Sequence, residues 1–233
     1  GELIGQQIGQ LVIQHDEGAM GVRADGSMFP VLAERHVTYQ NGRRLFVETV
    51  SDVTEQRRNE AHLMGLAFHD ALTQLPNRQL FDDRLQMEIA RARRHAHQIA
   101  VLFVDLDRFK AINDLHGHDM GDSLLKKVAN RLRACLHESD TVSRRGGDEF
   151  TVILSEVSGP EAAAHVAQQI IEQMHTPFTI RGEVLKIGAS VGICMFPSEA
   201  HDMSSLVNGA DEAMYRAKMQ GRGAYCFHAR NDD

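Results

Sequence analysis

Little in this sequence equips it to grip a nucleic acid, cross a bilayer or depend on disulfides. Lysine and arginine number 25 against 32 acidic residues, a formal charge of −7. Such a balance works against binding a phosphate backbone. The densest basic run, Arg91-Ala92-Arg93-Arg94-His95, has no aromatic residue interleaved and reads as the solvated end of a helix. The longest clean apolar run, Ile99–Val104, falls far short of the ~20 residues a membrane helix needs. No leader-peptide pattern opens the sequence. The expected location is therefore cytoplasmic, with no membrane contact in this segment, although a longer protein could be tethered through some other part. Cys135, Cys194 and Cys226 are odd in number and widely spaced, the pattern of reduced, mostly buried thiols. Thirteen histidines do not make a zinc site. The pairs His95/His97 and His116/His118 lack cysteine partners and the i,i+4 spacing of helical ligands. Internal repeats and low-complexity tracts are absent.

What is present is ordinary for a protein with a core: 42% hydrophobic and 24% charged residues in 233, enough for one large domain or one domain plus a fragment. Residues 1–53 alternate in short β-like runs, with turn signals at Asp25-Gly26 and Asn41-Gly42. From Asp52 the pattern turns helical, with Asp52 or Thr54 as cap and a thin apolar stripe of Leu63, Leu66 and Ala67. A helix so polar usually bridges domains or pairs with its own copy. After His69 the pattern predicts helix Arg78–His95, strand Gln98–Val104, helices Phe109–Leu115 and Met120–His137, and paired strands Thr141–Arg145 and Glu149–Leu154. Helix Pro160–His175, a hairpin turning at Arg181-Gly182, strand Val184–Phe196, helix Ser204–Met219 and strand Ala224–Phe227 follow. The fold class is α+β, a central, mostly antiparallel sheet flanked by helices.

Two acids, Asp148 and Glu149, stand side by side after Gly146-Gly147 at the start of a strand. Like charges at neighbouring positions gain nothing by folding, and paired glycines suggest close approach to the backbone. Asp105 closes the buried strand IAVLFV, where the backbone would hold a carboxylate rigidly. Two hard carboxylates with backbone carbonyls suit Mg²⁺, which shares its shell with substrate phosphates. Asp107 is expected instead to cap the helix after it, accepting the amides of residues 108–110. The first turn of that helix offers amides at Phe109 and Lys110 for phosphates, and Lys110, Lys218 and Arg222 would neutralise them.

GGDEF at 146–150 resembles the signature of the GGDEF diguanylate cyclases. HDALTQLPNRQLFDDRL at 69–85, VDLDRFKAINDLHGHDMGDSLL at 104–125 and ADEAMYRAKMQGRG at 210–223 are similar to further blocks of that family, in the same order. Residues 1–57 resemble the C-terminal half of a PAS sensor fold, ending in SDVTEQRR; the first half of such a fold has no counterpart here. The expected organisation is a partial PAS-like segment at 1–53, a signalling linker helix at 54–68 and a GGDEF domain at 69–233. The resemblance implies condensation of two GTP into cyclic di-GMP and two pyrophosphates across a homodimer. It implies two Mg²⁺ per site, with Mn²⁺ as substitute, on Asp105, Asp148 and the Leu106 carbonyl. Asn113 and Asp122 would read guanine, Gly146 and Gly147 would let the nucleotide lie against backbone, and Glu149 would assist deprotonation of the 3′-hydroxyl or hold the metal shell. Members that turn to adenine carry a smaller residue at the position of Asp122, so GTP is implied over ATP. The family's inhibitory RxxD motif is degenerate here, with His137 in place of arginine ahead of Asp140. The alternative is a catalytically silent module that binds GTP or cyclic di-GMP and regulates a partner domain.

Overall fold

The computed structural model describes residues 12–15, 18–23 and 25–228, and divides into two compact units, 1–65 and 66–233. In the first unit β1 (Val12–His15), β2 (Gly18–Val22), β3 (Met28–Gln40) and β4 (Arg43–Asp52) form an antiparallel sheet in that order. The long β3–β4 pair closes at Asn41-Gly42, whose φ angles of 52° and 74° are those of a tight hairpin turn. α1 (Thr54–Phe68) follows. Asp52 supplies its cap: its Oδ1 accepts the Thr54 amide at 2.8 Å. The first eleven residues and the side chains of 60–66, Leu63 and Leu66 among them, lie outside the described set.

The second unit begins with α2 (Arg78–His95), capped by Asn77, whose side chain accepts the Leu80 amide at 3.1 Å. Then come β5 (Gln98–Asp107), α3 (Phe109–His116), α4 (His118–Ala134), β6 (Thr141–Gly146), β7 (Glu149–Val157) and α5 (Pro160–His175). β8 (Phe178–Ile180), β9 (Glu183–Leu185), β10 (Gly188–Phe196), α6 (Met203–Met219) and β11 (Tyr225–Phe227) complete it. The main sheet runs β11-β10-β5-β7-β6, antiparallel throughout except for β10 with β11. β5 is central and buried from Ile99 to Leu106, because helices cover both faces of the sheet. On one face it meets Leu124, Leu125, Ile170 and Ile171 of α4 and α5; on the other, Phe81 and Leu85 of α2 with Leu206 and Ala210 of α6. Among the described residues no helix is long and apolar enough to cross a membrane.

Several expected boundaries differ: the strands expected to end at Val104 and Leu154 run on to Asp107 and Val157, and two elements change more. α4 starts at His118, directly after Gly117 at φ 83°, and stops at Ala134. The segment expected to extend it to His137 forms a turn instead, with the His137 amide on Asp140 Oδ2 and the Asp140 amide on the His137 carbonyl. The run expected as one strand from Val184 breaks between Leu185 and Gly188: β9 pairs only with β8, and β10 pairs with β5. α6 lies very close on β10 because a Cβ at Gly192 would stand 1.9 Å from the Ala210 carbonyl oxygen. Only glycine permits that approach.

Candidate active site

The C-terminal end of β5 and the β6–β7 turn are neighbours. Asp105 is in register with Glu149, and the Leu106 amide donates to the Asp148 carbonyl at 3.3 Å. Gly146 and Gly147 make the turn with φ of 148° and 55°, and a Cβ on either would meet nothing within 4 Å. Both glycines are therefore explained by backbone conformation and open space above them, which leaves the turn accessible to a ligand.

Asp105 is 7% exposed. Burial pushes its carboxyl above the usual carboxylate range; Lys218 opposes that shift, and the nearby charges of Asp148 and Asp107 add to it. Lys218 Nζ, at the end of α6, stands 2.6 Å from Asp105 Oδ2. The site thus concentrates negative charge around one half-compensated carboxylate, which is the donor set a hard divalent cation suits. Among the described residues no three His, Cys, Asp or Glu side chains converge on a metal position. Asp105 and Asp148 would need backbone and phosphate oxygens to complete a shell.

Asp107 departs from its expected capping role. α3 has no side-chain cap; its N-cap residue is Arg108, at φ 59°. Asp107 Oδ1 instead accepts the Ser190 hydroxyl at 2.7 Å, and its Oδ2 accepts the Gly223 amide at 3.0 Å. This carboxylate fastens the turn that carries Arg222 to the main sheet. Phe109 is itself a core side chain, while Lys110 is exposed one residue on.

Asn113 of α3 lies against Gly121 of α4, the residue before Asp122. The Asn113 Oδ1 is buried without a hydrogen-bond partner, and a Cβ at Gly121 would stand 1.9 Å from it. An unpaired buried acceptor is costly, and here it lies against the residue preceding the exposed Asp122.

One element of the site was missed in the sequence. Arg144 Nη1 bridges both carboxylate oxygens of Asp70 at 2.9 and 3.0 Å, while its Nε and Nη2 hold the Gly147 carbonyl at 3.0 and 2.8 Å. Thr73 adds its amide and hydroxyl to Asp70 Oδ1 at 2.8 and 2.6 Å. Burial alone would raise the Asp70 carboxyl, but Thr73 and Arg144 outweigh it and hold it below the usual range. The DALT portion of the opening motif thus anchors the glycine turn through Arg144. A basic residue just ahead of the glycines was the available signal, and nothing local identified its partner. His137 and Asp140 do not form a comparable grip. His137 is exposed, and Asp140 is committed to the amides of His137 and Ser155, each at 3.0 Å.

The model of the diguanylate cyclase, GGDEF domain family matches residues 67–224. Over 184 residues the chain is 46% identical to the bifunctional diguanylate cyclase/cyclic di-GMP phosphodiesterase MucR of Pseudomonas aeruginosa, covering 79% of this chain and 27% of MucR. It is 43% identical over 173 residues to the diguanylate cyclase TpbB of the same organism, covering 74% of this chain and 40% of TpbB. The solved GGDEF domain of TpbB superposes with a TM-score of 0.69 at 43% identity, covering 70% of this chain and 96% of that one. The chain spans about a quarter to two fifths of the length of these curated relatives.

Proposed function

The chain belongs to the GGDEF family of diguanylate cyclases, and from that premise we propose that it condenses two GTP into cyclic di-GMP and two pyrophosphates, two copies facing each other. We assign residues 1–53 to a partial sensor, 54–68 to a signalling linker and 69–233 to the catalytic domain.

The observation that carries the GTP reading is the unpartnered Oδ1 of Asn113 against Gly121, one residue before Asp122. Guanine presents an N1–H and an exocyclic amine where adenine presents an acceptor and a C–H. Two acceptors in this corner match the first and leave the second unpaired, a strong basis for discrimination. The phosphates extend toward the uncapped first turn of α3, where the amides of Phe109 and Lys110 and the helix dipole favour negative charge. Lys110 and Arg222 neutralise that charge from either side, and Lys218 exchanges part of its contact with Asp105 for phosphate oxygens. Gly146 and Gly147 leave room for the nucleotide over the turn. Glu149, opposite Asp105 in the ladder, takes the 3′-hydroxyl proton or steadies the shell around Asp105. Mg²⁺, or Mn²⁺ in its place, would be held by Asp105, Asp148 and the Leu106 carbonyl, and when bound supplies charge stabilisation at the attacking and leaving oxygens. Since one chain holds one GTP, each 3′-hydroxyl must find its α-phosphate on the partner copy. With Asp140 committed to backbone amides and His137 in place of arginine, product inhibition through that corner is weak.

Incubation with GTP and Mg²⁺, followed by chromatography of the nucleotides, should yield cyclic di-GMP at a rate per chain that rises with protein concentration. Asp148→Ala should lose turnover and keep its far-UV spectrum; retained turnover would remove Asp148 from the metal set. A second reading, a binding module without turnover, is favoured by the 2.6 Å Lys218–Asp105 pair, which satisfies that carboxylate without a cation. GTP bound but unconsumed at high protein concentration would select it.

A further inference from the structure

A well-formed cavity of this unit lies away from the glycine turn. It measures about 790 Å³ and lies between α3, the β8–β9 ribbon and the turn at 221–223. None of Asn113, Asp122, Gly146 or Gly147 lines it. A volume of roughly 300–1,000 Å³ is that of a small-molecule site.

Its lining has two characters. One wall is apolar: Ile112 and Leu115 from α3 face Val184, Leu185 and Ile187. Leu115 and Val184 are 78% and 63% exposed, so a bound molecule would cover apolar surface that nothing else does. The other wall is cationic. Arg108, Lys186 and Arg222 line the cavity, and among the described residues none of the three has an ion-pair or hydrogen-bond partner for its side chain. The one carboxylate in the lining, Asp107, is already committed to Ser190 and Gly223. His116 is held by Glu183 at 2.9 Å, and His175 lies against the backbone at Gly188 and Gly223. Arg108 and Arg222 both sit at positive φ, 59° and 67°. Arginine in that conformation costs about 1 kcal/mol or more, and such strain gathers where a ligand is gripped.

We propose that this cavity is a second ligand site, for an amphipathic anion: an apolar body lying on Ile112, Val184 and Ile187, with a phosphate, sulfonate or carboxylate head among Arg108, Lys186 and Arg222. Uncompensated cations beside exposed aliphatic carbons fit neither a free inorganic anion nor a neutral apolar molecule. The assignment uses no turnover and none of the guanine contacts, and it shares one residue, Arg222, with the phosphate contacts proposed above.

The probe is 8-anilinonaphthalene-1-sulfonate, titrated into the whole chain labelled at isoleucine δ1 methyls. Ile112 and Ile187 should shift saturably while Ile99, in the core on the opposite face of the sheet, stays in place. Lys186→Glu and Val184→Asp, both at exposed positions, should each weaken those shifts at least tenfold. Absent shifts at Ile112 and Ile187, or shifts that persist at equal affinity in both variants, would overturn the proposal. Inorganic pyrophosphate producing the same shifts at the same concentration would also overturn it, by reducing the site to a simple anion hole.

Discussion

The brace between Asp70, Arg144 and Gly147 is the most exacting test of how this site is held. Arg144 is 11% and Asp70 21% exposed at the side chain, so their pair is mostly but not wholly withdrawn from water. Charge-assisted hydrogen bonds contribute about 1.5–3 kcal/mol each, and residual exposure screens part of that. Asp70→Asn removes the charge and leaves Arg144 poorly compensated; Arg144→Gln removes both the pair and the grip on the Gly147 carbonyl. Each substitution should cost about 2–3 kcal/mol, but the double variant only about 3 kcal/mol, because the second change finds the pair already broken. The coupling energy is therefore about 2 kcal/mol. Thermal unfolding followed by far-UV circular dichroism should show each single variant melting roughly 5–10 °C lower. Turnover of GTP should fall about tenfold or more in Arg144→Gln, since an ångström-scale shift of the glycine turn misplaces Asp148. Additive single losses, with coupling under about 0.5 kcal/mol, would show that the two residues act independently. The brace would then have no part in positioning the turn.

Three other outcomes are expected. Gly121→Ala drives a methyl to 1.9 Å from Asn113 Oδ1, so it should raise the KM for GTP and cost about 1–3 kcal/mol of stability. Adding Asn113→Ala should recover stability but not KM, and a single variant with unchanged KM would contradict the guanine corner. Acid titration of stability reports Asp70: its folded carboxyl is held below the ordinary value of 3.8, so its contribution is complete above that value and is lost as the pH falls through the lower folded one. Asp70→Asn should flatten that acid limb of a urea-denaturation series; an unchanged limb would remove Asp70 from it. Thiol labelling should divide the cysteines: burial pushes Cys194 up to about 12 and raises Cys135, so both should react only on unfolding, while half-buried Cys226 reacts in the native protein. Fast labelling of Cys194 in folded protein would show that its side of the core opens.

The relation between sequence and site differs from residue to residue. The strands and helices of the second unit were legible because apolar period and turn residues are local properties, and the run IAVLFV announced a strand covered on both faces. Where α4 and β9 end was less legible, since those limits are set by the Asp140 turn and by which partner each strand finds.

By itself the sequence determined the family, the α+β class and the candidate acids, because these rest on residue type at fixed spacing along the chain. Only the tertiary structure decided that Asp107 ties down residues 83 and 116 positions away rather than capping its own helix. The same holds for Arg144, whose partner Asp70 lies 74 residues earlier, and for the cations around the α3 cavity. The physical reason is common to all three. A carboxylate's role follows from which donors the fold brings within about 3 Å, and chain order carries no such distance.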